Sequence, residues 1–248
     1  PPLKAIRMAL KSMDFVEIDY IGVDKESNRI FDLTSEAEAK KNNILNPKAK
    51  YGPIVICIGE KQVLPGLDKF LVGKDVNREY AIDISPEEGF GKKDPKLMRL
   101  VPFKIFKKEN IRPFPGLQIN IDNMIGTIRT VSGGRVIVDF NHPLAGHHLN
   151  YKIKINKLIT DEKTKIESLL KMITNSPKVE VIKDNSPKKA DKVGTKVDKG
   201  ALEVDKDRVL IAEVTLDMPE QIQKQLKEAI LRTVPTIKDL KFKAPSKK

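Results

Sequence analysis

The stretch Gly59-Glu60-Lys61-Gln62-Val63-Leu64-Pro65-Gly66-Leu67-Asp68, followed closely by Leu71-Val72-Gly73-Lys74, decides how this chain is read. Before it stands Ile54-Val55-Ile56-Cys57-Ile58, an unbroken apolar run that predicts a buried strand over Pro53 to Gly59. Pro65 has no amide hydrogen to lose, and its fixed φ suits the first turn of a helix. A short helix is therefore expected from Leu64-Pro65 to Leu71, closed by Gly73.

Working outward, Phe15 to Gly22 alternates apolar and polar residues as a half-buried strand does. Asp24 to Asn28 is turn-like, and Ile30 to Leu33 resumes an apolar stretch. Ser35 with Glu38 forms a capping-box pattern for a helix to Lys41. Arg78 to Ile84 alternates again, and so does Tyr151 to Leu158, with Tyr151, Ile153 and Ile155 on one face and Lys152 and Lys154 on the other. Strands around one short helix predict an α+β class.

Between them, Lys92 to Asn141 reads as a small β-rich unit: Leu117 to Ile121, Met124 to Val131 and Arg135 to Phe140, with Ser132-Gly133-Gly134 as a hairpin turn. A unit of about 50 residues folds alone only marginally and cannot bury everything apolar it carries. A third block follows. Asp161 to Ile173 is a helix candidate and Val179 to Ile182 a strand. Asn185 to Lys199 reads as an exposed lysine-rich loop, and Leu202 to Val204 with Val209 to Leu216 as a hairpin. Pro219 is expected at the first position of a helix over Glu220 to Thr233, and Ile237 to Phe242 forms a last strand.

Composition narrows the function. The 248 residues carry 46 Lys and Arg against 34 Asp and Glu, so the formal charge is 46 − 34 = +12. That keeps RNA or a ribosomal surface open as a partner, but the lysines are interleaved with acids, as in Lys188 to Asp198, which reads as a solvated face. Trp is absent and aromatics are 5%, too few for a stacking platform for single strands. The one cysteine, Cys57, forbids an intramolecular disulfide, so a reducing, cytoplasmic location is expected. Apolar runs fall far short of the roughly 20 residues that span a bilayer. Residues 1–12 lack the apolar core of a signal peptide and are expected to be a tag or disordered extension before Met13.

Nucleotide-binding, zinc-protease and serine-hydrolase motifs are absent. Cys57, inside a strand, reads as packing. His142, His147 and His148 lie close enough to ligate a soft divalent metal, but with no fourth ligand in view they read as a histidine-bearing surface loop. No metal or cofactor is expected.

Three segments together resemble the FKBP-type peptidyl-prolyl cis/trans isomerases. Gly59 to Asp68 with Leu71 to Lys74 is similar to the family's strand-turn-helix signature. Ser85-Pro86-Glu87-Glu88-Gly89-Phe90-Gly91 is similar to its PEEAYG segment. Asn141-His142-Pro143-Leu144-Ala145-Gly146 resembles the NHPLAG motif of the SlyD-like branch, which carries an insert-in-flap domain between the last two motifs. The resemblance covers residues 13–158, and the third block looks like the long archaeal type.

The resemblance implies an FKBP-like antiparallel sheet around a short helix (13–91 and 142–158), an inserted chaperone domain (92–141) and a C-terminal α+β domain (159–248). It makes Leu67 the floor under a proline ring, where many relatives carry Trp. Val63, Leu64, Phe31 and Tyr151 become walls, Ile54 and Leu144 the rim, and the Leu64 N–H a donor to the substrate. Tyr20 and Asp32 become a hydroxyl–carboxylate pair. Phe90 stands where the family usually has Tyr. Read on their own, Val63, Leu64, Leu67 and Phe31 equally suit a core, and Tyr20 with Asp32 a structural hydrogen bond.

The implied activity needs no nucleophile. An X–Pro bond meets a barrier of about 18–20 kcal/mol from amide resonance, and an apolar pocket that prefers the twisted amide supplies catalysis by differential binding. The implied partners are unfolded or nascent polypeptides with X–Pro bonds, held on the insert by Met98, Leu100, Val101, Phe103, Ile105, Phe106, Ile111, Phe114 and Met124, about half of which could instead form the insert's own core. A homodimer through the C-terminal domain is a further expectation. The alternative is a holdase or binding module whose isomerase activity is weak or lost.

Overall fold

The computed structural model describes residues 9–171, 173–174, 178–183, 210–215 and 218–243. The chain forms β1 (Phe15–Asp24), β2 (Arg29–Leu33), α1 (Glu36–Lys41), β3 (Ile54–Cys57), α2 (Pro65–Leu71) and β4 (Arg78–Ile84). An excursion follows through β5 (Met98–Pro102), α3 (Phe103–Lys108), β6 (Gln118–Ile121), β7 (Met124–Ser132) and β8 (Arg135–Asp139). The chain returns as β9 (Leu149–Ile159) and ends with α4 (Glu162–Leu170), β10 (Lys178–Lys183), β11 (Leu210–Thr215), α5 (Glu220–Thr233) and β12 (Ile237–Lys243).

The alternation in Phe15 to Gly22 becomes the organising strand. β3 pairs with the first half of one edge of β1 and β2 with the second half, while β9 runs antiparallel along the other edge and carries β4 beyond it. Successive side chains point to opposite faces. Val16 and Ile18 face α2, where Leu67 and Leu71 pack with Ile84, Leu149, Ile153 and Ile155 in one buried cluster. Phe15 faces the other way and joins Cys57 and Ile159 in a second cluster. The capping box forms as the sequence predicts: the Glu38 N–H donates to Ser35 Oγ at 3.3 Å.

Residues 9–12 are not an extension. Leu10 is 2% exposed within the α2 cluster. Its N–H donates to the Lys74 carbonyl at 2.9 Å and its carbonyl accepts from the Gly73 N–H at 2.7 Å. The run Met8-Ala9-Leu10 is too short to display a period, and the partners of Leu10 lie far along the chain. Residues 1–8 lie outside the described residues.

The insert has its own sheet, β5-β8-β7-β6, over a core of Phe106, Ile119, Ile128, Val136 and Val138. Gly133 and Gly134 take the positive φ angles, 54° and 73°, that a two-residue hairpin turn requires. Helix α3 is new relative to the sequence reading, since its six residues are too few to display a helical period. The two strands leading in and out are pinned together: the Asp94 N–H donates to Asn141 Oδ1 at 2.8 Å and the Asn141 side-chain amide to the Asp94 carbonyl at 3.1 Å.

In the third block β10-β11 is antiparallel and β11-β12 parallel, with α5 crossing between the parallel pair. Asp161 caps α4 by accepting from the Thr164 N–H at 2.8 Å. Pro219 stands one position earlier than expected, at the cap of α5. The buried residues of this block, among them Ile166, Leu170, Val214 and Ile230, are continuous with Phe15, Cys57 and Ile159, so the boundary expected at 159 falls inside one core. Arg232 of α5 also pairs with Glu60 at 2.6 Å. The expected loop Asn185 to Lys199 and strand Leu202 to Val204 lie outside the described residues. Among the described residues no helix is long and apolar enough to cross a membrane.

Cys57 is fully buried, and burial, followed by the charges of Glu60, Asp68 and Asp14, pushes its thiol up to about 12. The folded state therefore disfavours the thiolate. Stability from this group is whole below the ordinary value of 9.0 and is lost as pH rises from there towards 12. The melting temperature should fall over that window, and Cys57→Ala should flatten the fall. A native thiol that reacts with a thiol reagent as fast as the unfolded chain would contradict this placement.

Candidate active site: an aromatic cradle beside helix α2

Gly22 lies on the same face of β1 as Ile18 and Tyr20, opposite Tyr151 of β9. A Cβ on Gly22 would lie 2.8 Å from Phe31 Cζ and 3.1 Å from Tyr151 Cζ. The missing side chain is thus what lets these two rings meet across β1. Phe31 stands edge-on to Tyr151 and to Phe90, each with ring centroids 5.8 Å apart. Tyr20 tilts against Tyr151 at 5.6 Å. His142 stacks flat on Phe90 at 4.3 Å. These separations are those of favourable aromatic pairs.

On α2, Leu67 is fully buried in the cluster that Tyr20, Phe31 and Phe90 also pack against, and Val63, Leu64 and Ile54 are half-buried against it. The turn before α2 is fixed from behind. The Gly59 and Lys61 N–H groups donate to the Asp68 carboxylate at 2.8 and 3.3 Å, and the Cys57 N–H donates to Gln62 Oε1 at 2.6 Å. Leu64 begins the helix with its carbonyl accepting from the Asp68 N–H, while among the described residues its own N–H has no protein acceptor. That leaves one fixed donor at the edge of an apolar hollow.

Tyr20 Oη donates to Asp32 Oδ2 at 2.8 Å. Burial first, and then the charge of Asp32, raises the Tyr20 hydroxyl well above the ordinary phenol value; burial does the same for Tyr151. Both hydroxyls stay protonated across the physiological range. Asp32 is exposed, so its second oxygen faces water or a ligand.

The fold gathers Tyr20, Phe31, Asp32, Val63, Leu64, Leu67, Phe90 and Tyr151 on one side of the sheet, with Ile54 against the same cluster. Leu144 is half-buried in the following turn, where its N–H donates to His142 Nδ1 at 3.1 Å, and it is not among the residues packed against that cluster. Sequence reasoning missed two participants. In the sequence Gly22 is only a glycine inside a strand pattern, and the Asn141–Gly146 motif that holds His142 does not give its stacking on Phe90. A cavity of about 810 Å³ opens mainly on the other face of the sheet, where Asp19, Glu79, Lys152 and Lys154 put charges in its lining.

On the insert, Leu100 and Phe114 are 58% and 55% exposed, and Met98, Phe103, Ile105 and Ile111 are also open. Met124 is half-buried. Phe106 is instead a core residue at 2% exposure, and Val101 packs against that core. α3 is amphipathic, and of its two phenylalanines only the inward one, Phe106, fills the insert. Ile125, unremarked in the sequence, is 69% exposed.

The profile of the FKBP-type peptidyl-prolyl cis-trans isomerases matches residues 7–105 of this chain, and that of the FKBP26 IF domain matches residues 99–144. A short-type peptidyl-prolyl cis-trans isomerase of Methanocaldococcus jannaschii is 33% identical over 147 residues, which cover 59% of this chain and 92% of that protein. The FKBP-type isomerase SlyD of Haemophilus influenzae is 25% identical over 134 residues, 52% of this chain and 70% of its own. SlyD of Helicobacter pylori is 30% identical over 123 residues, 48% and 65% respectively. With the cradle, the insert and these likenesses in hand, the chain belongs to the FKBP-type peptidyl-prolyl cis-trans isomerases, on their SlyD-like branch.

Proposed function

We propose that the cradle binds the proline of an X–Pro bond on Leu67, between Tyr20, Phe31, Phe90 and Tyr151, and favours its twisted state. A planar amide carries a large dipole and is best solvated by water; twisting removes resonance and much of that dipole. An apolar, ring-lined hollow therefore binds the twisted form better than the planar one. The free Leu64 N–H supplies a hydrogen bond to a substrate carbonyl. Tyr20 holds the Asp32 carboxylate in one orientation beside the ring without competing for a proton. The observation that carries this reading is the meeting of Phe31 and Tyr151 at Gly22, on the cluster that contains Leu67. Phe90 offers no hydroxyl, so this site works with one donor fewer than the usual family pattern.

The exposed face of the insert, with Leu100, Phe103, Ile105, Ile111 and Phe114, supports a chaperone role: it holds apolar segments of unfolded or nascent chains and supplies them to the cradle. Two edge strands, β10 and β12, with Ile222 exposed on α5, support self-association through the C-terminal domain. The single buried thiol suits a reducing compartment such as the cytoplasm. The +12 charge supports a weaker contact with RNA or the ribosome.

A protease-free prolyl isomerisation assay on a Leu–Pro peptide tests the cradle. The wild type should catalyse. Asp32→Ala, at an exposed position, should lower kcat/KM several-fold without unfolding the protein. Leu67→Ala should lower it about tenfold, at a stability cost of ~2–5 kcal/mol because the residue is also core. If both variants keep the wild-type rate, the site is elsewhere; an inactive wild type would leave the holdase reading.

Gly22→Ala is expected to push Phe31 and Tyr151 apart and to reduce kcat/KM at least as much as Asp32→Ala, with a change in the near-ultraviolet circular dichroism of the tyrosines. An unchanged spectrum and rate would mean the ring contact at Gly22 is incidental.

For the insert, Leu100→Ser with Phe114→Ser should weaken suppression of client aggregation severalfold and leave short-peptide isomerisation intact. Equal suppression by the double variant would remove this face from the proposal.

A further inference from the structure

The sequence offers three histidines without a further ligand, but the fold supplies carboxylates from a distant segment. Asp24 ends β1 and Glu26 lies in the turn to β2, while His147 and His148 immediately precede β9. β9 pairs with β1 over its whole length, and Asp24 stands opposite Leu149, which sets the two segments side by side.

We infer that Asp24, Glu26 and His147, with His148 beside them, form a binding site for one divalent transition cation of the zinc or nickel class. His147 Nδ1 lies 2.9 Å from Asp24 Oδ1 and 3.8 Å from Glu26 Oε2, and one ligand atom from each of the three falls within 4.8 Å of the others. Donor atoms around a tetrahedral zinc with bonds of about 2.1 Å are about 3.4 Å apart, so an ion fits after changes of about half an ångström in the two His147 separations and up to about 1.4 Å in the widest. His148 Nδ1, 3.4 Å from Glu26 Oε1, is near enough to serve as a fourth ligand.

The donor set selects the ion. Imidazole nitrogens disfavour magnesium and calcium, and the lack of a thiolate disfavours copper(I). The carboxylates are already oriented, as ligands need to be. Asp24, with its side chain 5% exposed, accepts from the Ser27 hydroxyl and the Glu26 N–H, and the Glu26 carboxylate accepts from the His148 N–H at 2.9 Å. The loop so held is the one through which the insert rejoins the catalytic domain. It also carries His142, which stacks on Phe90. A bound cation would fasten that loop to the β1–β2 turn. This site is independent of the isomerase reading.

The test uses the full chain. Cobalt(II) serves as the spectroscopic probe, and zinc(II) is titrated by calorimetry with magnesium(II) as comparison. The wild type should bind one cobalt with visible d–d absorption of a nitrogen–oxygen site, zinc should displace it, and magnesium should not. His147→Ala should abolish binding and Glu26→Gln should weaken it at least tenfold, whereas His142→Ala should leave it intact. Should His147→Ala not fold, the exposed Glu26→Gln with His148→Ala decides. Cobalt bound as tightly to these variants as to wild type, or no zinc binding up to about 100 μM, would overturn the inference and leave an ordinary His147–Asp24 hydrogen bond.

Discussion

Strand β1 is asked to satisfy two cores at once, and the period of a strand makes this possible. Its even-numbered side chains, Val16 and Ile18, are sealed under α2, and its first odd one, Phe15, is sealed under the C-terminal block. Both sets have essentially no exposure. A slip of one residue in the pairing with β9 would exchange the two sets and expose both cores. Register is therefore heavily specified along the first half of the strand. The second half inherits it, and that half carries Tyr20, Gly22 and Asp24. The cradle shares this packing, since Leu67 and Tyr151 belong to the same cluster as Val16 and Ile18.

This arrangement explains how a shallow site is kept apolar without being filled. Rings exposed to water would gain by collapsing onto one another. Here Gly22 leaves just enough room for Phe31 and Tyr151 to touch edge to face, and the protonated Tyr20 is tied to Asp32. Each ring is fixed by a neighbour of a different kind: another ring, a hydrogen bond or the imidazole of His142. If it takes a proline as proposed, a preorganised hollow loses little on binding a residue that is itself conformationally restricted. In the proposed site, Leu67 in place of a large ring gives up shape but no apolar character.

How much of this could be read in the sequence follows from distance along the chain. The helix at Pro65, the cap at Ser35 and the hairpin at Gly133-Gly134 depend on neighbours within a few residues, and the local pattern carries them. Leu10, the meeting of His147 with Asp24, and the fusion of the third block to the sheet depend on pairings between remote segments, which no local period records. Phe106 fails for a different reason. A six-residue helix has one inward face, and composition cannot say which phenylalanine occupies it. The motif carried the cradle residues as a set, yet the glycine that makes them compatible went unnoticed because an absent side chain leaves no apolar signal.

The insert turns a weakness of small domains into a property. A few buried residues, Phe106, Ile119, Ile128, Val136 and Val138, are a thin core for a unit of its size. Leu100, Phe114 and Ile125 stay exposed outside that core, and the insert is anchored at both ends. Asp94 and Asn141 bond across its neck, the Gly146 N–H bonds to the Gly91 carbonyl at 2.8 Å, and buried Asp139 holds Arg129 and Asn141 together. Closing the chain ends in this way reduces the entropy the insert must lose on folding. The loop that completes the neck, residues 142–148, touches the cradle through His142 and the β1–β2 turn through His147. The surface proposed for client chains and the site proposed for their prolines are thus joined by one short segment with histidines at both ends.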